Sequence, residues 1–62
     1  MKKYVHIYQC KPGDILVYDV YDQYGFLIAE KNTVINEVLI NRLNTFNIRQ
    51  LSIYELQKAE YK

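Results

Sequence analysis

Few side chains in this 62-residue chain have reactive chemistry, and the simplest to follow are its one histidine and its one cysteine. His6 has the right nitrogen chemistry for a metal ligand or a pH-sensitive group. Metal sites gather several such donors, however, and His6 lies between Tyr4 and Tyr8, with Asp14, Asp19 and Asp22 on other segments. Asp19 and Asp22 flank a turn, where a carboxylate serves the local backbone more readily than a cation. Cys10 has no second cysteine to pair with, which excludes an intramolecular disulfide and leaves a structural zinc without its usual thiolates. Lys11 beside it would lower its pKa, but a reactive thiol needs a whole electropositive pocket, so the expectation is a half-buried, inert thiol. No catalytic residue, metal ligand or cofactor site emerges, and the chain reads as a non-enzyme.

The surplus lies in the aromatic residues: seven tyrosines and no tryptophan. Tyr4, His6 and Tyr8 alternate with Val5 and Ile7, the period of a half-buried strand, and Tyr18 is expected on a neighbouring strand. Three tyrosine rings would then line one side of a small sheet, with Arg49 and Tyr54 as further candidates. Such a surface suits two roles. It can stack bases of a cyclic dinucleotide or a single strand, with Lys2, Lys3, Lys11 or Arg49 meeting phosphates. It can also form the apolar centre of a self-association surface, since tyrosine is enriched in protein interfaces. Self-association is favoured. Nucleotide binding calls for denser cations than Arg42 and Arg49 supply, and a small sheet has edge strands that invite pairing. A third reading assigns some rings to the core.

Composition limits the partners. Eight basic and seven acidic side chains give a formal charge of +1, so no global field draws in duplex DNA or an anionic membrane. Half the residues are apolar, which excludes the disordered class. A chain of this length buries only about 60% of its unfolded surface, so a partner is expected to contribute to its stability. The apolar stretch after Lys2 and Lys3 is too short for an export signal or a membrane span, and the single cysteine fits a reducing, cytoplasmic setting.

These side chains need elements to hold them. The alternation predicts a first strand over Tyr4 to Tyr8, closed by the Lys11-Pro12-Gly13 corner. A hairpin follows: Asp14 to Tyr21, a turn at Asp22 to Gly25 with the glycine in left-handed geometry, and Phe26 to Ala29. Neither face of Asp14 to Tyr21 is polar, as in a central strand. After a polar loop at Glu30 to Asn32 and a brief extended piece at Thr33 to Ile35, Asn36 caps a helix over Glu37 to Phe46. Leu39, Ile40, Leu43 and Phe46 form its inward stripe, and Asn47 is its left-handed stop. Gln50 to Tyr54 is the last strand, pairing with the first strand or the hairpin. The expected fold is α+β: a small, four-stranded, mostly antiparallel sheet with a central hairpin and one packed helix. It occupies residues 1–54, and 55–62 form a frayed tail or the start of a linker helix.

One family resemblance runs through these residues. Lys11-Pro12-Gly13, Leu16, Asp19-Val20-Tyr21-Asp22, Gly25, Leu27, Asn32-Thr33, Ile35-Asn36, Leu39, Leu43, Asn47-Ile48 and Leu51 resemble the small module that precedes the catalytic domain in bacterial HD-GYP-type cyclic di-GMP phosphodiesterases. The similarity covers roughly Lys11 to Tyr54 and rests on turn residues and apolar spacing. The chain has no His-Asp pair and no Gly-Tyr-Pro signature, so the phosphodiesterase activity does not come with it. The resemblance implies an accessory role, a homodimer contact or a signal passed to a neighbouring domain. The chain would be a fragment of a longer signalling protein or a free-standing relative.

Overall fold

β1 (Lys2–His6) alternates as expected but ends early. Ile7–Gln9 close into a 3-10 turn instead of extending the strand to Tyr8. Local bonds account for the break: His6 N–H donates to Gln9 Oε1 at 2.9 Å, and His6 Nδ1 accepts from Tyr8 N–H at 3.2 Å. Such side-chain partners offer the backbone an alternative to the sheet ladder. The computed structural model describes residues 2–55, so the tail expected at 55–62 lies outside the described residues beyond Glu55.

The remaining elements are β2 (Ile15–Leu16), β3 (Val20–Tyr21), β4 (Leu27–Ala29), α1 (Glu37–Thr45) and β5 (Gln50–Tyr54). They build an antiparallel three-stranded sheet in the order β1-β5-β2 and a separate antiparallel pair, β3-β4. The α+β class holds, with five strands in two sheets in place of the expected four in one. The hairpin is not central. β5, the last strand, is the middle of the larger sheet, and it takes both partners the sequence offered as alternatives.

The expected long strand over Asp14 to Tyr21 divides because its two halves serve different neighbours. Leu16 N–H donates to Thr33 O (3.0 Å), Asn32 N–H to Leu16 O (2.8 Å), and Val17 N–H to Ser52 O (3.0 Å). The chain then bends at Val17 and Tyr18, and Asp19 Oδ1 accepts from Lys31 N–H at 2.7 Å. β3 can thus leave the large sheet and pair with β4. The apolar run without a polar face follows from this: Leu16 is fully buried in the core, while Val17 is buried apart from the core cluster.

Both turns follow from their residues. At the corner Gly13 has φ 102°, and the buried Asp14 accepts from Lys11 N–H through Oδ2 at 2.9 Å. At the hairpin tip Asp22 Oδ1 accepts from both Tyr24 N–H (2.8 Å) and Phe26 N–H (2.9 Å), and Gly25 adopts φ 89° as expected. Phe26 itself stays outside β4, exposed beside the tip.

α1 begins where its cap places it. Asn36 is extended (φ −135°) and its Oδ1 accepts from Leu39 N–H at 2.8 Å, with Glu37 in the first turn. Asn36→Ala should therefore lower stability by about 1 kcal/mol, read from urea unfolding, whereas Asn36→Ser should restore most of it. Past the end of α1 at Thr45 and its C-cap Phe46, Asn47 takes φ 63°, and Ile48 N–H donates back to Leu43 O at 3.0 Å. Leu43 is fully buried, and Leu39 and Ile40 pack half-buried against the core. Phe46 departs from the expected stripe: as the C-cap residue it lies beyond the last turn seated on the core, and it is exposed.

The core lies between α1 and one face of the large sheet. Val5, Leu16, Leu51 and Ile53 come from the sheet, with Ile7, Cys10, Ala29, Ile35 and Leu43 around them. The opposite face of the sheet carries the candidate residues.

Candidate functional site

Register alone assigns the residues of that outer face. Lys2 lies opposite Tyr54 and Tyr4 opposite Ser52, His6 pairs with Gln50, and on the far side Ile15 pairs with Tyr54. Directly paired residues project to the same side. The core-facing set Val5, Leu51, Leu16 and Ile53 occupies the alternate positions. The outer face therefore presents Lys2, Tyr4, His6, Gln50, Ser52, Tyr54 and Ile15, and no carboxylate. Tyr4 is 69% exposed and Tyr54 40%.

Two further tyrosines border this face. Lys2 Nζ sits 5.7 Å from the Tyr18 ring centroid, a cation–π contact that brings Tyr18, at the bend after β2, to the face. The His6 and Tyr8 rings stack at 4.7 Å between centroids with 28° between planes, so Tyr8 remains beside the face although it has left the strand. The Tyr4 hydroxyl donates to Gln50 Oε1 at 3.3 Å. Of the expected candidates, Tyr4, His6, Tyr54, Tyr18 and Tyr8 come together. Arg49 does not: it precedes β5 on the parity of Leu51 and Ile53, so register places it off this face. Gln50, Ser52 and Ile15 join the face as well; the alternation around Leu51 and Ile53 implies the first two, while Ile15 follows only from the pairing of β2 with β5.

Among the described residues the sheet has one open edge. Beyond β2, the Thr33–Ile35 stretch continues the pairing through the Ile15–Val34 bridge and the Leu16–Thr33 bond. On the other side β1 pairs with β5, and no other strand pairs with it among the described residues. Among those residues its outer edge lies next to the tyrosine face without a neighbouring strand.

The reactive-group readings fare differently. Among the described residues, no group of three or more His, Cys, Asp or Glu side chains is placed to hold a metal ion. Asp22 bonds to the amides of its own turn as the turn reading expects, whereas Asp19 departs from it: its backbone partner is the Lys31 amide on the far side of the hairpin, not a local one. Cys10 is buried in the core rather than half-buried, and its pKa moves opposite to the direction Lys11 would impose. Burial, and secondarily the Asp14 carboxylate, raise it above the ordinary 9.0. Above pH 9 the unfolded chain loses this proton first and binds fewer protons than the folded chain, so folding stability declines as pH rises through that range. Urea midpoints measured from pH 8 to 10.5 should fall more for the native chain than for Cys10→Ala.

Among the described residues, no helix is long and apolar enough to cross a membrane. In comparisons with known proteins, no family model, no curated protein and no solved structure matches this chain.

Proposed function

We propose that this chain is a non-enzymatic interaction module that pairs with a second copy of itself through the β1 edge and the adjoining tyrosine face. The observation that carries this reading is the outer face of the β1-β5-β2 sheet, which exposes Tyr4 and Tyr54 and is bordered by the edge of β1, open among the described residues.

Charge favours a second copy arranged about a two-fold axis. Lys2 and Lys3 both lie at the start of β1, so parallel pairing of two β1 strands would set each lysine against its own copy. Antiparallel pairing separates them and brings Tyr4 near Tyr4 of the partner on the axis, an aromatic pair that favours the contact. Lys3 is further neutralised by Glu55, 3.4 Å away. Assembly stops at two, because pairing uses the larger sheet's open edge, and β3 and β4 are too short to template another strand.

The resemblance to the module preceding HD-GYP-type catalytic domains supports the same role, in which a dimeric cytoplasmic unit passes a signal to a neighbouring domain. A test is a dilution series of amide NMR spectra. Self-association should move or broaden resonances of Lys2, Tyr4, Gln50, Ser52 and Tyr54 while leaving those of α1 in place. Concentration-independent spectra would rule the reading out.

A second reading, a nucleotide platform, is favoured by one observation: the face has Lys2 among its rings and no acid to repel a phosphate. Titration with a cyclic dinucleotide that quenches tyrosine fluorescence and dissociates the dimer would favour it over self-association.

A further inference from the structure

A second surface, remote from the tyrosine face in its residues, has a different chemistry. A cavity of about 430 Å³ opens between the hairpin tip and the C-terminal end of α1, lined by Tyr21, Asp22 and Tyr24 from the tip and Phe46, Asn47 and Ile48 from the helix end. That volume is within the range of small-ligand pockets. Three aromatic side chains border it, and all three are solvent-exposed, Tyr24 to 75%. None of the three stacks on another among the described residues, where the stacked ring pair is His6 with Tyr8, so their faces are not used up in contact with each other.

Every electrostatic feature of this cavity is negative. Asp22 is the charged side chain in its lining. Behind Tyr21, Asp19 Oδ2 accepts from the phenol hydroxyl at 3.3 Å, which anchors the ring's outer end and adds a second carboxylate nearby. Among the described residues, the ion pair present is Lys3 with Glu55, so neither Asp19 nor Asp22 is neutralised by a lysine or arginine. The helix end that borders the cavity carries the negative pole of the macrodipole. Arg42, in the last turn of α1, lines a groove on the other side, beside β4 and Val38. Aromatic faces around a space with uncompensated negative charge match an organic cation: the rings' quadrupoles attract the charge, and the apolar walls accept its methyl groups.

We infer that this cavity binds a methylated ammonium group, seated among Tyr21, Tyr24 and Phe46 with Asp22 as its counter-charge. The group can belong to a free choline-like molecule or to a methylated lysine of a partner protein. An inorganic cation is a poorer match, because Asp22 Oδ1 already serves two backbone amides and no cluster of oxygen ligands completes a coordination shell.

The test is an NMR titration of the full chain with choline, with tetramethylammonium, with 3,3-dimethylbutan-1-ol as the neutral isostere of choline, and with a short capped peptide carrying trimethyllysine. Saturable shifts at Tyr21, Tyr24 and Phe46 are expected for the cations, with a dissociation constant on the order of 1–10 mM for the small ones. The neutral isostere should leave these resonances in place, and tighter binding of choline or of the peptide identifies the source. Tyr24→Leu removes one exposed ring and should weaken binding about two- to fivefold. Asp22→Asn keeps the Oδ1 acceptor of the turn while removing the charge, and should weaken it by a similar factor. Equal binding of the isostere, absence of saturable shifts, or unchanged affinity in both folded variants overturns the assignment. None of these outcomes depends on dimerisation, so this site and the tyrosine face fail independently.

Discussion

Leu43→Ala should leave much of the population unfolded at room temperature. The side chain is fully buried where α1 meets the sheet. Truncating such a leucine costs about 2–5 kcal/mol, from lost transfer energy and from the void left behind. At about 0.05–0.15 kcal/mol per residue, a chain of 62 residues has a total stability of only about 3–9 kcal/mol. The substitution therefore removes a large part of what holds the fold together. Helix propensity works in the opposite direction, since alanine is the best helix former, so any loss comes from packing. Val38, on the same helix but 75% exposed, is the control: Val38→Ala should change stability by no more than about 0.5 kcal/mol. Urea unfolding followed by far-ultraviolet circular dichroism measures both. Equal stability of the two variants would mean that α1 is not docked through Leu43.

Tyr4→Ser should have the largest effect on association. Tyr4 stands in the middle of β1, on the outer face and 69% exposed, with one side-chain hydrogen bond, to Gln50. In the monomer its loss removes a cross-strand contact with Ser52, worth at most about 1 kcal/mol. In an antiparallel β1–β1 dimer the same residue lies near the axis and is lost from both copies, and truncating central tyrosines of interfaces typically costs about 2 kcal/mol or more. The dimer dissociation constant should therefore rise at least about 30-fold while the fold persists. Tyr24→Leu, at the hairpin tip, should leave dimerisation unchanged. If Tyr4→Ser associates like the native chain, the partner binds elsewhere.

Much of the architecture could be read from periodicity. The helix and the last strand fall within a residue of where Leu39, Leu43, Leu51 and Ile53 place them, because each element buries one regular stripe. Turn chemistry was equally legible at Asp22, Gly25, Asn36 and Asn47, where the side chain or its absence determines the local backbone. Three features were not. The break between Ile15–Leu16 and Val20–Tyr21 depends on bonds to Ser52 and to the Asn32–Thr33 stretch, all distant in sequence, and local composition carries no sign of them. Asn32 adopts φ 69° in a loop whose polarity alone did not indicate it. Tyr8 leaves β1 because His6 and Gln9 capture its local backbone, a competition that alternation does not register.

The tyrosine face was legible in its members and not in its limits. Tyr4, His6 and Tyr54 follow from alternation, but charge alone makes Arg49 a candidate, and only the register of β5 separates it from the face. The cavity at the hairpin tip is not legible in the sequence, because its aromatic residues come from segments about twenty residues apart and the helical stripe points Phe46 inward.

The central claim is that the uncovered face and the β1 edge pair with a second copy. Sedimentation equilibrium of the native chain from a few micromolar to about one millimolar tests it most directly, with Tyr4→Ser alongside. The average mass should rise from that of the 7.5 kDa chain towards twice that value and level off there, with Tyr4→Ser staying near the lower value. A folded native chain that sediments as a single 7.5 kDa species throughout the range would contradict the claim.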